Sequence, residues 1–152
     1  MRFQQSKDII HHAIALHRQV ERHFAALGQR TADPRLKMIS DYLVKREVFL
    51  QKGLSEFEAV GAQSVEQTWF KFSDCQAHFH DLEARLDAAT EASADEVVEL
   101  TVQLYECLAA QFTAFAAESD VEGVRAIFQN LADLEKRELK KLVRNLQMMN
   151  EL

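Results

Sequence analysis

Five polar side chains fall at positions that the hydrophobic pattern of the chain assigns to a protein interior: His17, Glu47, Tyr105, Glu135 and Glu138. Three buried carboxylates are costly, since an uncompensated charge out of water costs several kcal/mol even after relaxation. One imidazolium offsets one of them, and the Tyr105 hydroxyl supplies one hydrogen bond. About two negative charges are left, to be met by a bound cation or by carboxyl groups held protonated. Carboxylates with an imidazole, and with Tyr105 as a further ligand or radical-capable neighbour, form a hard, oxygen-rich set. It suits iron or manganese better than structural zinc, with zinc the lesser fit. The other reading of the same residues is a metal-free polar plug. There His17 pairs with a glutamate, the other carboxyls are protonated or solvated, and the cluster fixes helix register. Glu135→Gln separates the two: it weakens metal binding in the first case and is neutral or stabilising in the second.

Other residues with chemical potential carry less. His78 and His80 share a metal only in an extended segment, because side chains two apart on a helix point about 200° apart. With Phe79 on an apolar stripe they flank a core instead. His11, His12 and His23 fall off the stripe of their segment and are expected at the surface. Lys136, Arg137, Lys140, Lys141 and Arg144 form either an anion patch or a solvated face suited to the C-terminal half of a helix. Trp69, Phe70 and Phe72 are core residues with one exposed ring, or part of a homodimer contact, where aromatics are enriched. Cys75 and Cys107 lack a CxxC spacing and are expected as two free thiols packed as small hydrophobes. No Gly-rich phosphate loop and no nucleophile–His–acid spacing occurs, so metal chemistry is the one enzyme class with positive support.

The elements that position these residues are helices. With 4 Gly and 1 Pro in 152 residues, the chain has too few breakers for a turn-rich β-sandwich or a Rossmann-type fold. Asp33-Pro34 reads as an N-cap followed by proline at the first helical position. Ser64-Val65-Glu66-Gln67, Ser93-Ala94-Asp95-Glu96 and Ser119-Asp120-Val121-Glu122 fit the capping box, and Gly28 and Gly61 sit where C′ glycines belong. The expected helices are 7–28, 34–60, 65–90, 94–118 and 120–149, the third with a second capping box at Ser73-Asp74-Cys75-Gln76. Apolar stripes spaced three and four apart run along all of them. They are Ile10-Ala13-His17-Val20-Phe24-Leu27; Leu36-Ile39 (or Ser40)-Leu43-Glu47-Leu50-Leu54-Phe57; Val65-Trp69-Phe72-Cys75 (or Gln76)-Phe79-Leu82-Leu86; Val98-Thr101-Tyr105-Leu108-Phe112-Phe115; and Val124-Phe128-Leu131-Glu135-Glu138-Leu142. A shift of 88 residues lays His17–Leu54 on Tyr105–Leu142 without a gap. It pairs His17 with Tyr105 and Glu47 with Glu135 in one stripe phase. The chain thus reads as an all-α single domain, 1–152: a hairpin at 7–60, a long helical crossover at 62–92, and a second hairpin at 94–149. That is a four-helix bundle with one long crossover.

Over about 90 of the 152 residues, in the blocks Ala13–Leu54 and Thr101–Leu142, the chain resembles the ferritin-like superfamily and its rubrerythrin-like domains. Ala15-Leu16-His17, Asp33-Pro34-Arg35-Leu36-Lys37 and Arg46-Glu47 carry the first half of the resemblance. Tyr105 and Leu131-Ala132-Asp133-Leu134-Glu135 carry the second. The resemblance implies a Glu on the first and third bundle helices and a Glu-x-x-His on the second and fourth, around two irons. Here His17 and Tyr105 stand at the two Glu positions, with Glu106 beside Tyr105 facing outward. Leu50 and Glu138 stand at the two His positions, so only Glu47 and Glu135 are kept. The resemblance therefore implies a degenerate iron or manganese site that handles oxygen or peroxide, with Glu47 and Glu135 as principal carboxylates and His17, Glu138 and Tyr105 around them. A helical interaction protein that has lost this chemistry is the alternative, and a carrier of a small apolar ligand is a weaker third.

Composition sets the surroundings. Hydrophobic residues at 47% and charged residues at 28% are ordinary for a folded domain. A net charge of −6 offers no general attraction to nucleic acid or anionic membrane. The first residues lack the apolar core of a secretory leader. The best apolar run, Cys107 to Ala117, is far short of the ~20 residues that span a bilayer. The expectation is a cytoplasmic homo-oligomer, a dimer, without nucleic-acid or membrane partners.

Overall fold

The computed structural model describes residues 3–55, 75–87, 94–118 and 122–150. Among them are five α-helices and no strand: α1 (Phe3–Arg30), α2 (Pro34–Ser55), α3 (Gln76–Asp87), α4 (Ala94–Glu118) and α5 (Glu122–Asn150). The all-helical expectation holds. α2 opens at Pro34 because the Asp33 carboxylate accepts from the Arg35 amide at 3.0 Å while its carbonyl accepts from the Lys37 amide at 2.9 Å. α3 opens just after Cys75, where the second capping box ends, and α4 covers the expected 94–118.

Gly28 does not end α1. Helical bonding runs on to Thr31, whose amide donates to Leu27 O at 3.0 Å, and no described glycine has positive φ. Gly28 instead marks a close approach of α1 to α2: a Cβ there would lie 3.3 Å from Asp41 Oδ1 and 3.4 Å from Ser40 Cβ. Gly61, Phe57, Val65, Trp69, Phe70 and Phe72 lie outside the described residues.

α1 packs along α2 and α4 along α5; α3 bridges α4 and α1, and α2 touches α5 and α4. The described stripe positions of α1, α2 and α3 are buried as expected. On α4 the buried set shifts to Val97, Leu104 and Ala116, while Val98 and Phe115 are half-buried. α4 has α5 and α3 on different flanks, so its buried arc is wider than one stripe. Phe115 still closes an aromatic cluster, 5.7 Å from Phe128, which stacks on Phe112 at 6.3 Å. The structure also corrects the placement of His12. It is buried, and α1 has a second neighbour, α3, on the flank where His23 meets Glu83 at 2.9 Å and Phe79 at 6.0 Å. His23 itself is partly buried. His78 and His80 lie on the helical α3 with Phe79 buried between them, as the stripe predicts.

The cysteines are not free thiols. Cys75, at the start of α3, is bonded to Cys107 on α4, with Cα atoms 5.7 Å apart. Sequence spacing alone does not reveal this, since the two meet only once α3 lies on α4. No described helix is long and apolar enough to cross a membrane. The bond joins residues 32 apart, so in the chain-entropy picture it restricts the unfolded ensemble by an amount worth about 2–4 kcal/mol. Cys75→Ala/Cys107→Ala is expected to lower the urea-unfolding free energy by that amount, and dithiothreitol is expected to lower wild type but not the variant.

Candidate functional site

Four of the five expected side chains converge in the interior. His17 on α1 is fully enclosed, as are Glu47 on α2 and Glu135 on α5, and Tyr105 on α4 is 1% exposed. His17 Nδ1 lies 2.6 Å from Glu47 Oε2, and His17 Nε2 lies 2.8 Å from Glu135 Oε1. The Tyr105 hydroxyl donates to the other oxygen, Glu47 Oε1. The rings of His17 and Tyr105 meet edge to face, with centroids 5.8 Å apart. The residues that the 88-residue repeat equates thus meet in space: His17 faces Tyr105, while Glu47 and Glu135 share one imidazole.

Glu138 does not join them. It is buried, but its carboxylate pairs with the Arg46 guanidinium and lies 3.5 Å from Lys141 Nζ. The i, i+3 spacing puts Glu135 and Glu138 on neighbouring faces, and the pull of Arg46 decides which way Glu138 turns. Arg46 was missed because its position is off the α2 stripe, although it is only 16% exposed. Its guanidinium also lies 5.4 Å from the centre of the Phe49 ring.

The electrostatics follow from these contacts. Burial alone would lower the His17 pKa, but the charges of Glu135 and then Glu47 outweigh it and push it up to about 10. Burial raises Glu47 and the His17 charge draws it back; with Glu135 and Glu21 adding repulsion, it stands at about 7. With a carboxyl oxygen against each ring nitrogen, both nitrogens donate, so His17 is an imidazolium between two acids.

This arrangement does not fit the two irons that the resemblance implies. An imidazole ligates through a nitrogen lone pair, and both His17 nitrogens are committed to N–H donation. Both Glu47 oxygens are in use, Glu138 is turned to Arg46, and Leu50 cannot ligate. Within the His17 cluster, the buried Glu135 Oε2 has no hydrogen-bond partner. Among the described residues, no group of three or more His, Cys, Asp or Glu side chains is arranged to hold a metal ion. No family model, curated protein or solved structure matches the chain.

The geometry also reverses one expectation. Glu135 compensates a buried cation, so Glu135→Gln is destabilising without any metal, by about 1–3 kcal/mol. The pH dependence has a fixed sign. His17 is raised from 6.5 to about 10, so its contribution is fully present below pH 6.5 and is lost as pH rises to 10. Glu47 acts with the same sign between 4.5 and about 7. The unfolding free energy is therefore expected to fall between pH 7 and 10, by at most about 1.4 kcal/mol per pH unit. His17→Gln is expected to flatten that fall, and an unchanged slope in the variant overturns the assignment.

Proposed function

We propose that the chain is a ferritin-like, rubrerythrin-like four-helix bundle in which an internal Glu47–His17–Glu135 cluster stands in place of a di-metal centre. On this reading it acts as a cytoplasmic, homodimeric interaction or scaffold protein and not as an oxidase. Two hairpins, 7–60 and 94–149, and the crossover 62–92 make up one domain, and neither nucleic acid nor membrane is its partner. The observation that carries the reading is the double engagement of His17: an imidazolium bound at both nitrogens supplies the positive charge that a cation would bring. The packing of α1 on α2 and of α4 on α5 supports the two hairpins.

A second reading, an iron- or manganese-binding protein handling oxygen or peroxide at an altered di-metal site, draws on one observation. Glu135 Oε2 is buried without a partner, and a cation would satisfy it.

Metal content per chain distinguishes the two. Protein purified without chelator or affinity metal, and again after anaerobic loading with ferrous iron, is measured by mass spectrometry beside Glu47→Ala/Glu135→Ala. The expected result is metal well below one ion per chain in both proteins. Near-stoichiometric iron, manganese or zinc that disappears in the variant overturns the metal-free reading.

A further inference from the structure

A groove of about 770 Å³ opens between α2 and α5, on the outer side of the turns that carry Glu47 and Glu135. Its volume lies in the range of small-molecule sites. Lys52 on α2 lines one wall; Lys136, Arg137 and Lys140 on α5 line the other. One carboxylate, Asp133, and one amide, Asn130, accompany these four cations, and Phe49 and Leu134 supply apolar surface.

The concentration of charge is the anomaly. The chain has 24 acidic residues against 18 Lys and Arg, yet four cations converge from two helices on one concavity. Some cations elsewhere take carboxylate partners, as Arg35 does with Asp95 at 2.9 Å and Arg85 with Glu96 at 3.0 Å. Among the described residues Lys52, Lys136 and Lys140 have no ion pair, and Arg137 Nε reaches only the Asp133 carbonyl of its own helix at 3.4 Å. Like charges gathered without counter-charge repel one another and raise the local potential toward an anion.

The walls are held in place. Gly53 lets α2 approach α5 closely, since a Cβ there would lie 3.1 Å from Leu134 Cδ2. Phe49, 48% exposed, is braced by Arg46, which the buried Glu138 anchors in turn. A large exposed aromatic beside unpaired cations is costly to leave bare and well suited to a planar apolar group.

We propose that this groove binds a small organic phosphate with a planar apolar body, of the nucleoside-polyphosphate class. The lysines and Arg137 hold the phosphates, as compact charges and as a planar donor respectively. Phe49 packs on the planar group, and Asp133 and Asn130 meet hydroxyl or amino groups between the two ends.

The test is calorimetric titration of the full chain at low salt with ATP, tripolyphosphate and adenosine. ATP is expected to bind at one site per chain and to weaken markedly when salt is raised from about 20 to about 200 mM. Tripolyphosphate is expected to bind about tenfold more weakly, and adenosine not measurably. Lys136→Ala/Lys140→Ala is expected to weaken ATP at least about tenfold with an unchanged circular-dichroism spectrum and Tm, and Lys52→Ala on the opposite wall acts in the same direction. Phe49→Ala is expected to weaken ATP about tenfold and leave tripolyphosphate unaffected. Three results overturn the proposal: no binding of ATP at millimolar concentration, equal affinity in the lysine variants, or loss of a dimer in Lys136→Glu/Lys140→Glu. The last assigns the groove to a contact between copies of the chain.

Discussion

A cation enclosed at the centre of a helical protein must find its counter-charges at fixed distances. His17 is fully buried, and its two ring nitrogens meet carboxyl groups from two other helices. Moving such a group out of water costs several kcal/mol unless partners of opposite charge and matching geometry are in place. A slip of one residue along any helix turns its side chain by about 100° and removes the partner. The apolar stripes alone tolerate such slips, because leucine packs acceptably against many neighbours. The cluster does not, so it fixes the mutual register of α1, α2 and α5, and through Tyr105 that of α4. The surrounding core can then be repetitive, since its alignment is set elsewhere.

Much of this was legible in the sequence, because helical periodicity reports which face of a helix is buried. His17, Glu47, Tyr105 and Glu135 were found by stripe phase, and the 88-residue repeat placed them opposite one another. Asp33-Pro34 located the start of α2 because a cap and a proline act through local geometry. What stayed hidden depends on which neighbour a face meets. Glu138 shares the inner side of α5, yet it answers to Arg46, and no periodicity links those two residues. His23 reads as a surface residue because one stripe describes a helix with one neighbour, whereas α1 also meets α3. Cys75 lies on a stripe and Cys107 off one, and their bond follows only from the docking of α3 on α4. Gly28 resembles a helix end in sequence because the absence of a side chain serves a close helix contact as well as a C-cap.

The interior cluster and the outer groove are built on the same turns. Arg46, Glu47, Phe49 and Gly53 share one stretch of α2, and Leu134, Glu135, Arg137 and Glu138 share one stretch of α5. Inward-facing carboxyls set the helices relative to one another. The Arg46–Glu138 pair then carries that alignment outward to Phe49. A groove whose cations come from two helices keeps its shape only while those helices keep their spacing, so buried electrostatics and surface charge are parts of one arrangement.

Inward glutamates in a helical protein need positive charge beside them, and a bound metal ion is one way to bring it. In this chain protons can do the same work. His17 brings one at every pH below about 10. Glu47, raised to about 7 chiefly by burial, takes up a second as the solution becomes mildly acidic. An imidazole at the position of His17 brings a positive charge where a carboxylate would bring a negative one. Tyr105 opposite it adds no charge and donates its hydroxyl to Glu47. His17 and Tyr105, at repeat-related positions, thus offset the charge that Glu47 and Glu135 bring inward, while Arg46 meets that of Glu138.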